Sequence, residues 1–128
     1  MALTIFDTDI LINVGRGDPN AINCLQVHSK SSTPAVSVIT QMELIVGSRN
    51  KTELQTIFKF LDQFEILLIN EKISGNAVKL VEKYRLSHGL LIPDALIAAT
   101  AVENNEGLIT GNQKDFRFIA GLKLLSYP

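Results

Sequence analysis

Short, strongly apolar runs alternate along this chain with longer segments whose apolar residues recur at helical spacing. The apolar runs lie at residues 3–6, 35–39, 66–69, 108–110 and 123–125. Strands that alternate with helices of about ten or more residues indicate a parallel sheet, because each connection must cross a face of the sheet before the next strand begins. The order of elements therefore predicts a three-layer α/β/α sandwich with a central, mainly parallel sheet.

Local patterns add detail to this prediction. Three residue pairs match the patterns of helix starts: Asp18 with Pro19, Thr40 with Glu43, and Thr52 with Gln55. Residues 66–69 are four large aliphatic side chains in a row, which is typical of a strand buried on both faces. Residues 95–102 are apolar or small on every side, so we expect a helix buried in the core.

Length, charge and cysteine content narrow the class of protein. A length of 128 residues fits one domain, residues 1–128, and the net charge of -1 excludes bulk basicity as a means of holding nucleic acid. Cys24 is the only cysteine, which excludes an internal disulfide and a structural zinc site of the usual four-ligand kind and favours a role in core packing. No apolar stretch is long enough for a membrane span, and residues 1–6 do not resemble a secretory signal. We therefore expect a cytoplasmic protein with no membrane attachment.

Acidic residues recur where predicted strands give way to helices. Asp7 ends the first strand, Glu43 lies just inside the helix after the second, Asp94 opens the buried helix, and Asp115 follows the strand at 108–110. One such residue is usually a cap or a partner of the helix dipole. Because ligands of parallel α/β sheets bind beyond the carboxyl ends of the strands, four acids at equivalent junctions favour a shared site.

Asp7 is the hardest of these acids to explain as a structural residue. It is flanked by apolar residues, and no Lys or Arg lies within eight residues of it. A carboxylate buried there without a partner would cost several kcal/mol, so a metal ion is the economical partner. Carboxylates without Cys or His ligands suit Mg²⁺ or Mn²⁺, and phosphodiester hydrolysis is the matching chemistry. His28 and His88 stand apart from any nucleophile, and we expect both on helix surfaces.

Four segments carry a resemblance to a known family. They read I-F-D-T-D-I-L-I, Q-M-E-L-I-V-G, P-D-A-L-I-A-A-T-A and L-I-T-G-N-Q-K-D-F, in this order along nearly the whole chain. They resemble the four motifs of the PIN-domain nucleases and, more narrowly, of the VapC toxins of toxin–antitoxin pairs. The resemblance implies a PIN-like fold, an Mg²⁺- or Mn²⁺-dependent ribonuclease that leaves a 5′-phosphate and a 3′-hydroxyl, a homodimer, and a cognate antitoxin that covers the active-site groove.

The resemblance also assigns roles to individual residues. It implies that Asp7, Asp94 and Asp115 hold the metal, with Asn112 sharing or replacing the role of Asp115, and that Glu43 accepts hydrogen bonds from metal-bound waters. The residues expected to orient these oxygens are Thr8, Asp9, Thr110 and Asn112. The basic residues that flank the motifs, and are candidates for contacts with RNA phosphates, are Arg16, Arg49, Lys51, Lys114 and Arg117.

Three other functions compete with this interpretation. Asp7-Thr8-Asp9 resembles the start of haloacid-dehalogenase-type phosphotransferases, but Leu11 stands where that motif prefers Thr or Val. A phospho-receiver domain needs a late lysine, for which Lys114 is the sole candidate. The main non-enzymatic alternative is a catalytically silent PIN fold that acts as a binding or regulatory module with an antitoxin. The presence of all four acidic residues favours the nuclease.

Overall fold

The five strands form one parallel sheet. The structure is a computed structural model that describes residues 2–128. The strands are β1 (Leu3–Phe6), β2 (Thr33–Ser37), β3 (Glu65–Leu67), β4 (Gly107–Ile109) and β5 (Leu124–Leu125). Their order across the sheet is β3-β2-β1-β4-β5, and every neighbouring pair is parallel. All carboxyl ends therefore lie along one edge, as the sequence predicts.

Six helices cover the two faces of the sheet. They are α1 (Thr8–Gly15), α2 (Pro19–Ser31), α3 (Val38–Val46), α4 (Lys51–Leu61), α5 (Glu71–His88) and α6 (Ile92–Asn104), and a short 3-10 helix spans Gln113–Asp115. Successive strand residues point to opposite faces. Ile5 packs with α5 and α6 in one apolar core, whereas Phe6 packs with α1, α2 and α3 in the other. The predicted three-layer sandwich is confirmed.

Two predicted helix starts are wrong by two or three residues. Helix α3 begins at Val38, because the Ser37 hydroxyl accepts the Ile39 N–H at 3.1 Å and caps the helix. Thr40 is therefore inside the helix and does not form a capping box with Glu43. This earlier cap also ends β2 at Ser37, before the predicted boundary at residue 39.

Helix α4 shows the same kind of shift. Asn50 caps it by accepting the Glu53 N–H at 2.9 Å, so the helix begins at Lys51 and the Thr52–Gln55 pair lies inside it. Asparagine is at least as good an N-cap as threonine, so Asn50 can take the role predicted for Thr52.

Residues 66–69 are less buried than the sequence predicts. Strand β3 lies at the edge of the sheet, pairs only with β2, and covers Glu65–Leu67. Glu65 is exposed and Leu68, just past the strand, is 70% exposed. An edge strand has a neighbour on one side only, so a run of aliphatic residues does not ensure burial.

The predicted central helix and core cysteine are both found. In α6, Ala95 and all residues from 97 to 101 are buried, which seats this helix directly against the sheet. Cys24 is 8% exposed and packs in the core on the α2 side. Among residues 2–128, no helix combines the length and the apolar character that crossing a bilayer requires.

Candidate active site

Asp7 lies at the carboxyl end of the central strand and is held rigidly there. Its backbone N–H donates to the Ile109 carbonyl at 2.9 Å, which continues the pairing of β1 with β4. One carboxylate oxygen accepts the Thr8 N–H at 2.8 Å, and the other accepts the Thr110 hydroxyl at 2.7 Å. The residue is 5% exposed. The two central strands thus fix both the position and the orientation of this carboxylate.

Hydrogen bonds also join the turn after β4 to the residues around Asp7. The Gly111 N–H donates to Asp9 Oδ2 at 3.0 Å, so α1 and the turn are joined directly. The Asn112 N–H donates to the Thr110 hydroxyl oxygen at 3.1 Å, which orients that hydroxyl towards Asp7. Thr110 and Asp9 therefore lie where the sequence predicts supporting residues. Asn112 takes part through its backbone.

Gly111 has no room for a side chain. A Cβ at this position would lie 2.6 Å from Asp9 Oδ2, the atom that accepts the Gly111 N–H. We expect Gly111→Ala to break this hydrogen bond, cost about 1–2 kcal/mol, and lower the Tm by roughly 4–10 °C. Gly75→Ala is the matched control, because nothing lies within 4 Å of its added Cβ in the second turn of α5, and it should stabilise the protein slightly. Equal Tm values for Gly111→Ala and wild type would contradict the prediction.

Glu43 reaches the site from α3 through Thr8. The Thr8 hydroxyl donates to Glu43 Oε1 at 2.6 Å and lies 3.0 Å from the Thr40 hydroxyl oxygen. Thr40 is fully buried, although Glu43 itself is exposed. The sequence analysis missed Thr40 as a site residue, because a threonine three residues before a glutamate also matches a capping box. Its place one helical turn before Glu43, on the same face of α3, is the signal that identifies it.

The acidic side chains influence each other's ionisation. The pKa of Asp7 rises from 3.8 to about 7, mainly because the carboxyl group is buried. The negative charges of Asp9 and Asp94 contribute to this rise, and the hydrogen bonds from Thr110 and Thr8 oppose it. Burial is also the main reason that the pKa of Asp94 rises to about 6, with the charges of Asp115, Glu43 and Asp9 adding to it. We call these five residues, Asp7, Asp9, Glu43, Asp94 and Asp115, the acidic cluster.

No basic side chain of the described chain balances this charge. Residues 2–128 contain one ion pair within 4.0 Å. It joins Arg49, in the loop before α4, to Glu53 in α4, with 2.7 Å between the guanidinium nitrogen and the carboxylate oxygen. Arg49, a predicted RNA-binding residue, is therefore held by Glu53. The other predicted RNA-binding residues, Arg16, Lys51, Lys114 and Arg117, are all exposed.

The donor atoms of the cluster suit a hydrated hard cation. Within residues 2–128, no three His, Cys, Asp or Glu side chains are arranged to hold one ion by themselves, which argues against a closed metal cage. Mg²⁺ is commonly held by only one or two carboxylates and keeps several waters. Asp7 is buried and has no positive partner, and the charge of Asp94 acts on it. These two residues supply carboxylate oxygens that could bind such a cation. The residues present therefore fit Mg²⁺ or Mn²⁺.

A parallel α/β/α sandwich with an acidic cluster at the carboxyl ends of its central strands defines the class of this protein. Residues 4–122 match the family model of the PIN domain, and the chain belongs to that family. The resemblance of the four sequence motifs is thus confirmed. The haloacid-dehalogenase and phospho-receiver interpretations lose their support, because the family match covers nearly the whole chain.

One ribonuclease and two solved structures match nearly the whole chain. The chain is 31% identical over 123 residues to "Ribonuclease VapC19" of Mycobacterium tuberculosis, covering 94% of this chain and 98% of the relative. Among solved structures, a toxin-antitoxin complex from Klebsiella pneumoniae matches with a TM-score of 0.80 and 36% identity, over 98% of this chain and 97% of that one. VapBC2 from Rickettsia felis, bound to a DNA fragment from its promoter, matches with a TM-score of 0.82 and 28% identity, over 98% and 99% of the two chains.

Proposed function

We propose that this chain is a divalent-metal-dependent endoribonuclease and the toxin of a VapBC-type pair, neutralised by a cognate antitoxin. The observation that carries the proposal is Asp7, a carboxylate at the carboxyl end of the central strand, 5% exposed and with no basic partner among residues 2–128. The ribonuclease names of the relatives support RNA as the substrate, and the solved toxin–antitoxin complexes support the antitoxin. A homodimer, implied by the resemblance, and a cytoplasmic location, expected from the single cysteine, complete the proposal.

Asp7 and Asp94 would hold the metal, and Asp115 or Asn112 would contact it through a bound water, since no three acidic side chains of residues 2–128 are arranged to hold one ion directly. Each oxygen of an ionised carboxylate has two acceptor sites, so Asp7 retains capacity after accepting the Thr8 N–H and the Thr110 hydroxyl. When bound, a divalent cation stabilises charge on a phosphoryl oxygen and lowers the pKa of a nearby water. The protein's own contribution is to hold these carboxylates in fixed orientations before the substrate arrives.

Glu43 is suited to position the attacking water. The Thr8 hydroxyl holds Oε1 of Glu43, which leaves Oε2 for a hydrogen bond to water. The exposed side chains of Lys114 and Arg117, on either side of Asp115, are suited to bind the phosphates that flank the scissile bond. Attack by water at phosphorus, with departure of the 3′-oxygen, leaves the 5′-phosphate and 3′-hydroxyl ends that we expect.

The test is cleavage of RNA by the purified chain, freed of any antitoxin. We expect cleavage of at least one among a set of structured and unstructured RNAs in Mn²⁺ or Mg²⁺, no cleavage in EDTA, and 5′-phosphates on the products. Loss of cleavage on adding EDTA and recovery on adding excess Mn²⁺ would identify the metal as the cause. If no RNA in a varied set shows EDTA-sensitive cleavage, the nuclease proposal is wrong, and the alternative of a silent PIN-fold binding module is favoured.

A further inference from the structure

A stacked pair of rings lies at the surface near the end of α5. The imidazole of His88 and the ring of Phe118 are nearly parallel, with centroids 4.0 Å apart and planes 12° apart. Tyr84 packs against both rings edge-on, at 5.7 and 5.0 Å. Tyr84 is buried and Phe118 is half-buried, whereas His88 is exposed. Phe118 therefore covers one face of the imidazole, and the exposed part of the stack belongs to His88.

The stack joins the two chain segments that carry Asp94 and Asp115. His88 is the last residue of α5, and Asp94 lies in the first turn of the next helix, α6. Phe118 lies three residues after Asp115, and the charges of Asp94 and Asp115 interact. The rings therefore join the segment just before Asp94 to the segment just after Asp115, two members of the acidic cluster.

The orientation of the rings is fixed by nearby contacts. The Ser87 hydroxyl lies 2.7 Å from Nδ1 of His88, and the Tyr84 hydroxyl accepts the Ala120 N–H at 3.3 Å, just past Phe118. A surface that is already ordered loses less conformational entropy when a ligand binds. The ring pair therefore has a fixed shape and one open face.

Three basic residues lie close to the ring pair along the chain. Lys83 lies 5.3 Å from the centre of the Tyr84 ring, Arg85 donates to the backbone carbonyl of Gly89 at 3.0 Å, and Arg117 directly precedes Phe118. All three side chains are exposed. Aromatic faces next to basic side chains are the usual means of binding single-stranded nucleic acid, because bases stack and phosphates pair with the cations.

We propose that the stack of His88 and Phe118 is a platform for an unpaired nucleobase of the RNA substrate, and that the base bound there places a neighbouring phosphodiester over the acidic cluster. The proposal rests on the ribonuclease function proposed above. A base that lies on the open face of His88 extends an existing stack, and every nucleobase has such a face. The platform therefore favours single-stranded or looped RNA and does not select one base strongly.

RNA binding to the inactive Asp7→Asn protein tests the platform without cleavage. The probe is a short, fluorescently labelled single-stranded RNA, compared with the same strand in which successive nucleotides are replaced by abasic ones. We expect His88→Ala to weaken binding of the intact strand roughly 5- to 100-fold. His88→Phe should restore binding to within about twofold of the parent, because it keeps the aromatic face. A strand that lacks the platform base should bind the parent and His88→Ala equally.

His28→Ala is the matched control. It removes the other histidine, whose ring meets Phe6 edge-on at 6.3 Å on the opposite face of the sheet, and it should leave RNA binding unchanged. In the active protein, His88→Ala should raise KM, since it removes binding energy for the substrate, and His28→Ala should not. Circular dichroism and Tm establish that each variant is folded.

Three results would overturn the platform. The first is unchanged RNA binding by His88→Ala. The second is weaker RNA binding by His88→Ala that is equally weak in His88→Phe. The third is a difference in binding between the parent and His88→Ala that is the same on every abasic strand. In each case RNA cleavage by the wild type can remain intact, so the proposed function survives. A wild type that neither binds nor cleaves RNA would overturn the proposed function itself.

Discussion

Replacing Asp7 by Asn should lower RNA cleavage by roughly 10²- to 10⁴-fold and leave a folded protein. The size of the loss follows from the several kcal/mol of charge stabilisation that a bound cation supplies, since each 1.36 kcal/mol changes a rate tenfold. The amide has nearly the shape of the carboxylate and retains an oxygen that accepts the Thr8 N–H or the Thr110 hydroxyl. Without metal, we expect stability equal to the wild type or higher, because a buried charge is replaced by a neutral group.

The matched control is Asp18→Asn. Asp7 caps α1 by accepting the Thr8 N–H, and Asp18 caps α2 by accepting the Asn20 N–H at 3.0 Å. The substitution at Asp18 removes the same charge. Asparagine is an equally good N-cap, so both cleavage and Tm should stay near wild type. Cleavage is measured on the RNA found in the EDTA test, at saturating Mn²⁺. Activity of Asp7→Asn within tenfold of the wild type would show that Asp7 is not essential for catalysis.

The fold and the position of the acidic cluster could be predicted because both depend on a regular pattern. Alternating apolar runs and helical segments require a parallel sheet, and parallel strands place their carboxyl ends at one edge. Asp7 follows β1, and Thr110 follows β4, the strand paired with β1. Residues 103 positions apart thus form a hydrogen bond that follows directly from the order of the strands.

The helix starts and the burial of residues 66–69 were predicted wrongly because both depend on neighbouring elements of the fold. Ser37 and Thr40 are both good N-caps, and the choice depends on β2, which pairs with β3 up to Ser37 opposite Leu67. Whether residues 66–69 are buried depends on which strand takes the edge, and the sequence pattern alone does not contain that information. The His88–Phe118 stack also depends on packing between distant segments, so the sequence indicated only that His88 lies on a helix surface.

Without divalent metal, the free energy of unfolding should fall as pH rises from about 4 to 8. Burial raises the pKa of Asp7 from 3.8 to about 7 in the folded protein, so between these values the folded state holds a proton that the unfolded state has lost. This contribution is fully present below pH 3.8 and disappears as pH rises through about 7. At 1.36 kcal/mol per pKa unit it amounts to about 4 kcal/mol at most. Asp94, whose pKa rises to about 6, acts in the same direction but is half-exposed, so its share is smaller.

Urea denaturation of the wild type and Asp7→Asn at several pH values, in EDTA and in Mg²⁺ or Mn²⁺, measures this contribution. In EDTA, Asp7→Asn should lose most of the decline in stability, because its amide does not titrate. At pH 8 the metal should stabilise the wild type by RT ln(1 + [L]/Kd), since it binds the ionised cluster of the folded state, but should hardly affect Asp7→Asn. Asp18→Asn should respond to pH and metal as the wild type does. Equal pH slopes for wild type and Asp7→Asn would show that Asp7 is not the buried acid that titrates, and equal metal responses would show that it is not a ligand.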